Sequence, residues 1–241
     1  MSDCYVLVHG AWHTGDLMAP VAQAIRAKGH TVHCPTLAGN RPGDDRATIG
    51  LSDAAQSLID YLDDHNLTDV RLFGHSYGGM VISKAADVLP HRLKRLIYGN
   101  AFVPLNGECL NDMVPAHYKE LFDAVAAGNN NAVMLPFPIW REVFINDADA
   151  ALAQSAFEQL NLQPYNTFTE AISLSLEISA MAVGKSYLNC QQDSALPAHQ
   201  WHPCLSSRLG LFRLVECPGS HETLFTNPGL LAEKIIEAGR D

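Results

Sequence analysis

Short apolar runs alternate along this chain with segments whose apolar residues recur at helical spacing. Residues 5–8 read as a strand, 17–28 as a helix closed by Gly29, and 31–34 as a strand stopped by Pro35. Residues 52–65 form an amphipathic helix, with Ser52 as its candidate cap and Ala55, Leu58, Ile59 and Leu62 on one face. A strand at 70–73, a helix at 77–89 and a strand at 93–98 continue the series. Strands alternating with helices predict an α/β fold, in which right-handed crossovers build a parallel sheet covered on both faces.

The rhythm breaks after Pro104. Residues 105–185 are rich in helix formers, interrupted by three consecutive asparagines at 129–131, and show no clean alternation. They predict an inserted cap, mainly helical with a short hairpin. The alternation resumes with a strand at 186–190, a short helix near 197–206, a strand at 211–216 and a final helix at 227–238. The expected architecture is thus a core of residues 1–104 and 186–241 around a mostly parallel six-stranded sheet, with 105–185 as a lid.

Composition narrows the class. Of the 241 residues 47% are hydrophobic and 17% charged, enough apolar surface for one sizeable core. A formal net charge of -10 argues against nucleic acid and acidic membrane surfaces as partners. No apolar run reaches the length of a membrane span, and the first residues lack the basic-then-apolar pattern of a secretory signal. The six cysteines fall in no C-x-x-C pair, so neither a zinc site nor a redox motif is indicated, and reduced thiols in the cytoplasm are expected.

Between the strand at 70–73 and the helix that follows lies Gly74-His75-Ser76-Tyr77-Gly78. A G-x-S-x-G run joining strand to helix predicts a nucleophile elbow. A serine on so sharp a turn projects its hydroxyl from the sheet, and the flanking glycines come too close to other backbone to carry a Cβ. Catalytic groups of open parallel sheets sit beyond the carboxyl ends of strands. Asp193 follows the strand at 186–190, and His221 follows the strand at 211–216. A serine hydroxyl needs a base; His221 can accept its proton and return it to the leaving group, while Asp193 fixes the imidazole tautomer and stabilises the imidazolium. Glu216, Glu222, Glu108 and Asp112 are rival acids, and the other natural acid position, after the strand at 93–98, carries Asn100. Developing charge on the substrate carbonyl needs two amide donors. These are expected from Tyr77, next after the nucleophile, and from Ala11, in the loop His9-Gly10-Ala11-Trp12, with His9 organising that loop.

Together these segments resemble the α/β-hydrolase superfamily, and within it the branch of plant hydroxynitrile lyases, plant methylesterases and small bacterial carboxylesterases. The resemblance rests on residues 6–13, 74–81 and 101–104, on Gly219-Ser220-His221 with Leu224-Phe225, and on Asp193 shortly before Pro197. It implies a serine hydrolase cleaving carboxylic esters through an acyl-enzyme, with no cofactor and no metal. Lyases of the branch carry threonine after the first-strand histidine and lysine after the catalytic one; here those positions hold Gly10 and Glu222. A carboxylate beside the base would repel cyanide, so ester hydrolysis is favoured over lyase chemistry. Hydroxynitrile lyase-like chemistry or C–C bond hydrolysis on the same triad, and a non-catalytic ligand-binding role, remain as alternatives. The pocket is expected from Trp12 and from Phe137, Trp140 and Phe144 of the cap, suiting small to medium esters with apolar or aryl parts. The partner is a small-molecule ester; a homo-oligomer is left open.

Overall fold

The computed structural model describes residues 2–241. In chain order its strands are β1 (Cys4–Val8), β2 (Thr31–His33), β3 (Val70–His75), β4 (Leu93–Gly99), β5 (Ala132–Val133), β6 (Gln163–Pro164), β7 (Gly184–Cys190) and β8 (Arg213–Cys217). Six of them form one all-parallel sheet in the order β2-β1-β3-β4-β7-β8. Alternate residues of each strand serve opposite faces. Val6, Val8, Leu72, Leu96 and Tyr98 pack against helices α2 (Leu51–Asp64) and α3 (Gly78–Val88). Tyr5, Leu7, Phe73, Ile97 and Leu188 pack against α1 (Ala19–Ala27) and the C-terminal helix Pro228–Gly239. The predicted six-stranded parallel sheet with helices on both faces is therefore the observed one.

Several boundaries differ from the sequence reading, each for a local reason. Ser52 does not cap α2. Gly50 does, its N–H donating to Asp53 Oδ2 at 2.9 Å, while the Ser52 hydroxyl donates to Glu170. β7 begins at Gly184, within the span read as insertion, because Lys185 is buried in the strand and its ammonium reaches back to the carbonyls of Ile178, Ser179 and Met181 at 3.2, 3.3 and 2.8 Å. β8 starts at Arg213; Leu211 is 92% exposed and lies outside it.

Between β4 and β7 the chain leaves the sheet. It forms helix α4 (Ala116–Gly128), helix Ala150–Phe157, the turn Asn166–Thr169 and several shorter helical turns. Its only strands, β5 and β6, pair antiparallel but lie some thirty residues apart, so they are not the hairpin expected. Phe122, Phe144 and Phe168 of this segment join the same apolar cluster as α2 and α3. The segment thus packs over the carboxyl ends of the strands, where β1, β3, β4, β7 and β8 deliver the loops bearing Ala11, Ser76, Asn100, Asp193 and His221.

The β3–α3 turn is tightly packed. A Cβ on Gly74 would lie 2.7 Å from Gly78 O, and one on Gly78 would lie 2.9 Å from both Val8 O and His9 O. These are backbone atoms of the end of β1, the loop after it and the first residue of α3, and cannot step aside. Gly78→Ala should cost about 1–3 kcal/mol by overpacking, seen as a lower urea midpoint at unchanged m-value. Gly229→Ala, where a new Cβ meets nothing within 4 Å, should be neutral or stabilising by up to about 1 kcal/mol.

Candidate active site

Ser76 stands at the elbow with φ +53°, a conformation disfavoured for a side-chain-bearing residue. Three backbone hydrogen bonds hold it there. Its N–H donates to Gly99 O at 3.2 Å, and its carbonyl accepts from Gly79 N at 3.0 Å and Phe102 N at 3.1 Å. Its hydroxyl has no hydrogen-bond partner among the described residues and lines an apolar cavity.

His221 lines the same cavity. Its Nδ1 donates to Asp193 Oδ2 at 2.6 Å, with both side chains almost wholly buried. Asp193 also receives Ala195 N on Oδ1 at 2.8 Å and the Asn100 side-chain amide on Oδ2. Asn100 is the residue that took the alternative acid position. Instead of competing, it ties the acid loop to β4, its Oδ1 accepting from Cys190 N at 2.7 Å. The imidazole of His221 is stacked on Trp201 (5.4 Å between centroids, 18° between planes) and meets Phe144 edge-on at 5.3 Å. Burial works to lower the His221 pKa, but the Asp193 carboxylate outweighs it and the net shift is upward. The rival acids are spent elsewhere: Glu108 on Arg208, Asp112 on Cys109 N, Glu216 on Asn189 and Glu222 on His13.

Two amides beside Ser76 are unpaired. Neither Ala11 N–H nor Tyr77 N–H has an acceptor among the described residues, whereas the N–H groups of Ser76 and Trp12 are taken, by Gly99 O and Gln163 Oε1. Buried amides are rarely left without a partner, and two such donors next to a free hydroxyl are the arrangement that binding an oxyanion requires. The loop is packed tightly: a Cβ on Gly10 would lie 2.8 Å from His75 Nδ1 and 3.2 Å from Ser76 Cβ. His9 Nδ1 donates to Gly10 O at 2.8 Å, fixing the very peptide plane that presents Ala11 N–H, and its Nε2 accepts from Leu37 N at 3.1 Å. Burial holds His9 neutral, its pKa lowered to about 4. His75 is likewise pushed down, to about 3, by burial, and its Nε2 donates to His221 O at 2.9 Å.

Of the four residues expected to form the pocket, Trp12 and Phe144 line the cavity. Phe137 and Trp140 do not, and that expectation is corrected. Trp140 is fully buried between the inserted segment and the core, its Nε1 donating to Ala153 O at 3.3 Å and its ring against Phe157, His13 and Phe225, and Phe137 packs on Phe157 at 5.2 Å. These two aromatic residues fill packed core. The walls come instead from Phe102, Leu110, Val114, Tyr118, Phe122 and Phe168 on one side and Leu196 and Trp201 on the other. Trp12, at φ +67°, is clamped by the inserted segment at three points: Gln163 Oε1 on its N–H (3.0 Å), Asn161 N–H on its carbonyl (2.6 Å) and Val133 O on its Nε1 (3.1 Å). Among the described residues His75, His221 and Glu222 offer ligand atoms within 4.8 Å of one another, yet each already commits an atom to a protein hydrogen bond. Among the described residues no helix is long and apolar enough to cross a membrane.

The chain is 30% identical to a carbendazim-hydrolysing esterase from a Nocardioides species across 98% of this chain and 99% of that one. It is 26% identical to a pyrethroid hydrolase from Sphingobium wenxiniae across 96% and 86%. Among solved structures, an extracellular α/β-hydrolase from a Paenibacillus species, described as sharing structural and functional homology with tobacco salicylic acid-binding protein 2, superposes with a TM-score of 0.94 at 36% identity, covering 99% and 100% of the two chains. The alpha/beta hydrolase family model matches residues 5–234, and with that span and these relatives the chain belongs to the α/β-hydrolase family.

Proposed function

We propose that the protein is a serine carboxylesterase that cleaves small to medium carboxylic esters with apolar or aryl parts through an acyl-enzyme intermediate. The observation that carries this reading is the convergence of the Asp193–His221 hydrogen bond, the free Ser76 hydroxyl and two unpaired amides on one apolar cavity. In this mechanism His221 takes the Ser76 proton as the hydroxyl attacks the ester carbonyl. Asp193 holds the ring in the Nδ1–H tautomer and stabilises the imidazolium, and Ala11 N–H and Tyr77 N–H receive the oxyanion. The protonated ring then gives its proton to the departing alcohol, and a water, activated in the same way, releases the acid.

The segment 105–185 serves as the lid that shapes substrate choice. Its walls and those of the sheet loops supply aromatic faces and no charged side chain other than His221. A neutral, flat or aliphatic substrate fits; a free carboxylate or an ammonium finds no partner there. The ester-cleaving names of the Nocardioides and Sphingobium relatives support the same class. The buried Glu222, next to the base, disfavours lyase chemistry, which would have to hold a cyanide anion at this end of the site. Six free thiols suit a reducing compartment, and the protein is read as cytoplasmic.

A p-nitrophenyl ester panel from acetate to decanoate checks the reading, with rates expected to peak at short or medium acyl chains. A flat profile would rule out a defined acyl pocket. Ser76→Ala should lose about four to six orders of magnitude in kcat with the fold intact by circular dichroism, and should no longer be labelled by a fluorophosphonate. Activity retained in that variant would overturn the mechanism.

The pH profile gives an independent check. Catalysis needs neutral His221, whose pKa is raised above the ordinary histidine value. The acid limb of kcat/KM should therefore lie above pH ~6.5, with activity lost as pH falls through it. Asp193→Asn, which removes the raising charge, should cut kcat and move that limb to lower pH. An unmoved limb would assign it to another group.

A further inference from the structure

Behind the cavity lies a buried pair that the proposed chemistry does not use. His13 and Glu222 are each 1% exposed, and His13 Nε2 donates to Glu222 Oε2 at 3.0 Å. The other ring nitrogen, Nδ1, donates to Ala11 O at 2.6 Å. Both nitrogens of this histidine thus face acceptors, so the ring bridges Glu222 to the backbone of Ala11. Glu222 follows His221 directly in the chain. Its own main chain is fixed, with N–H shared between Ser220 Oγ and Phe144 O, both at 3.2 Å. The ring of His13 is packed by Phe225, His75 and Trp140, with centroids 5.7, 5.9 and 6.1 Å away, and has no freedom to swing.

Ala11 sits between two peptide planes. His9 anchors the one before it through Gly10 O, and His13 anchors the one after it through Ala11 O. We propose that Glu222, acting through His13, is a positioning residue for the oxyanion hole: it aims the Ala11 N–H by tying the loop that carries the base to the loop that carries that donor. The proposal rests on the esterase reading of the same site. Its physical basis is that a preformed donor is worth most when it need not reorganise as charge develops, and that a small misplacement is costly. The bridge joins two loops at the site, so what it fixes is their relative geometry.

The test uses steady-state ester hydrolysis by the full chain, with melting temperature and circular dichroism as fold controls. Loss of one oxyanion donor costs about 100- to 1,000-fold in kcat, and a misaimed donor should cost less. Glu222→Gln and His13→Ala should each lower kcat by about 10- to 100-fold with KM changed less than threefold, and the double variant should be no worse than His13→Ala alone. His13→Asn, whose side-chain amide can take the place of Nδ1 and donate to Ala11 O, should recover part of the lost kcat. A folded Glu222→Gln at wild-type kcat, a loss confined to KM, additive losses in the double variant, or no recovery in His13→Asn would each overturn the proposal. A wild-type protein that hydrolyses no ester, or a fully active Ser76→Ala, would instead bring down the esterase reading and this proposal with it. Should Glu222→Gln not fold, the pair of His13 variants decides alone, because both disrupt the same buried contact and only one keeps the donor.

Discussion

A side chain can stand clear of a parallel sheet only where the backbone beneath it turns sharply, and the φ of +53° at Ser76 is the cost of that turn. A non-glycine residue in this region gives up on the order of 1–2 kcal/mol. The Ser76 amide and carbonyl are held by β4, by the chain just beyond it and by the first turn of α3, so the fold imposes the conformation. The same turn has two further effects. It starts α3 at Gly78, which leaves the Tyr77 amide without an acceptor, and it brings the elbow against the β1 loop so closely that no side chain fits at Gly10 or Gly78. Hydroxyl, donor and neighbouring loop are consequences of one backbone constraint.

The site's polar floor obeys a second rule, that buried ionisable groups must be paired or neutral. Four buried histidines meet it in two ways. His9 and His75 spend their protons on backbone carbonyls and are kept neutral by burial. His13 and His221 each face a carboxylate, Glu222 and Asp193. Burial alone would raise the Glu222 pKa, and His13 reverses that, so the net shift is downward. Each histidine's partner decides whether it steers backbone or handles a proton, and residue type alone does not distinguish the two.

This explains which parts of the molecule were legible in the sequence. Strand and helix periodicity reflects burial on a repeating lattice, so the six-stranded sheet and its order of elements could be read directly. The three residues expected at the site lie at the carboxyl ends of strands, positions that periodicity also marks, and Asp193 and His221 are indeed joined there. Asn100 was noticed only as a missing acid. Its role as a brace for Asp193 depends on a contact 93 residues away that no local pattern encodes. The aromatic residues of the inserted segment defeated the reading for the same reason. Trp140 and Phe144 lie four apart and stack together, yet only Phe144 reaches the cavity. Spacing can show that two side chains share a helical face, but it cannot show which of them looks into a pocket and which into packed core. Trp201, stacked on His221, came from a segment read only as a short helix.

The contrast between apolar walls and a charged floor also bears on which reactions the site favours. In ester cleavage both substrates are neutral, and charge appears only in passage, in the proposed mechanism as an oxyanion at the two amides and an imidazolium beside Asp193. Low-polarity walls strengthen those two interactions because little water screens them. The product acid ionises in a cavity without a cation and is driven out to water, which clears the serine for the next turnover. A reaction that ends by holding an anion in place needs the opposite arrangement, a positive group beside the base. At that point this chain buries Glu222 and occupies it with His13. The electrostatics that suit a departing carboxylate are therefore those that fail a departing cyanide, and Glu222, held by His13 beside the base, supplies the first and not the second.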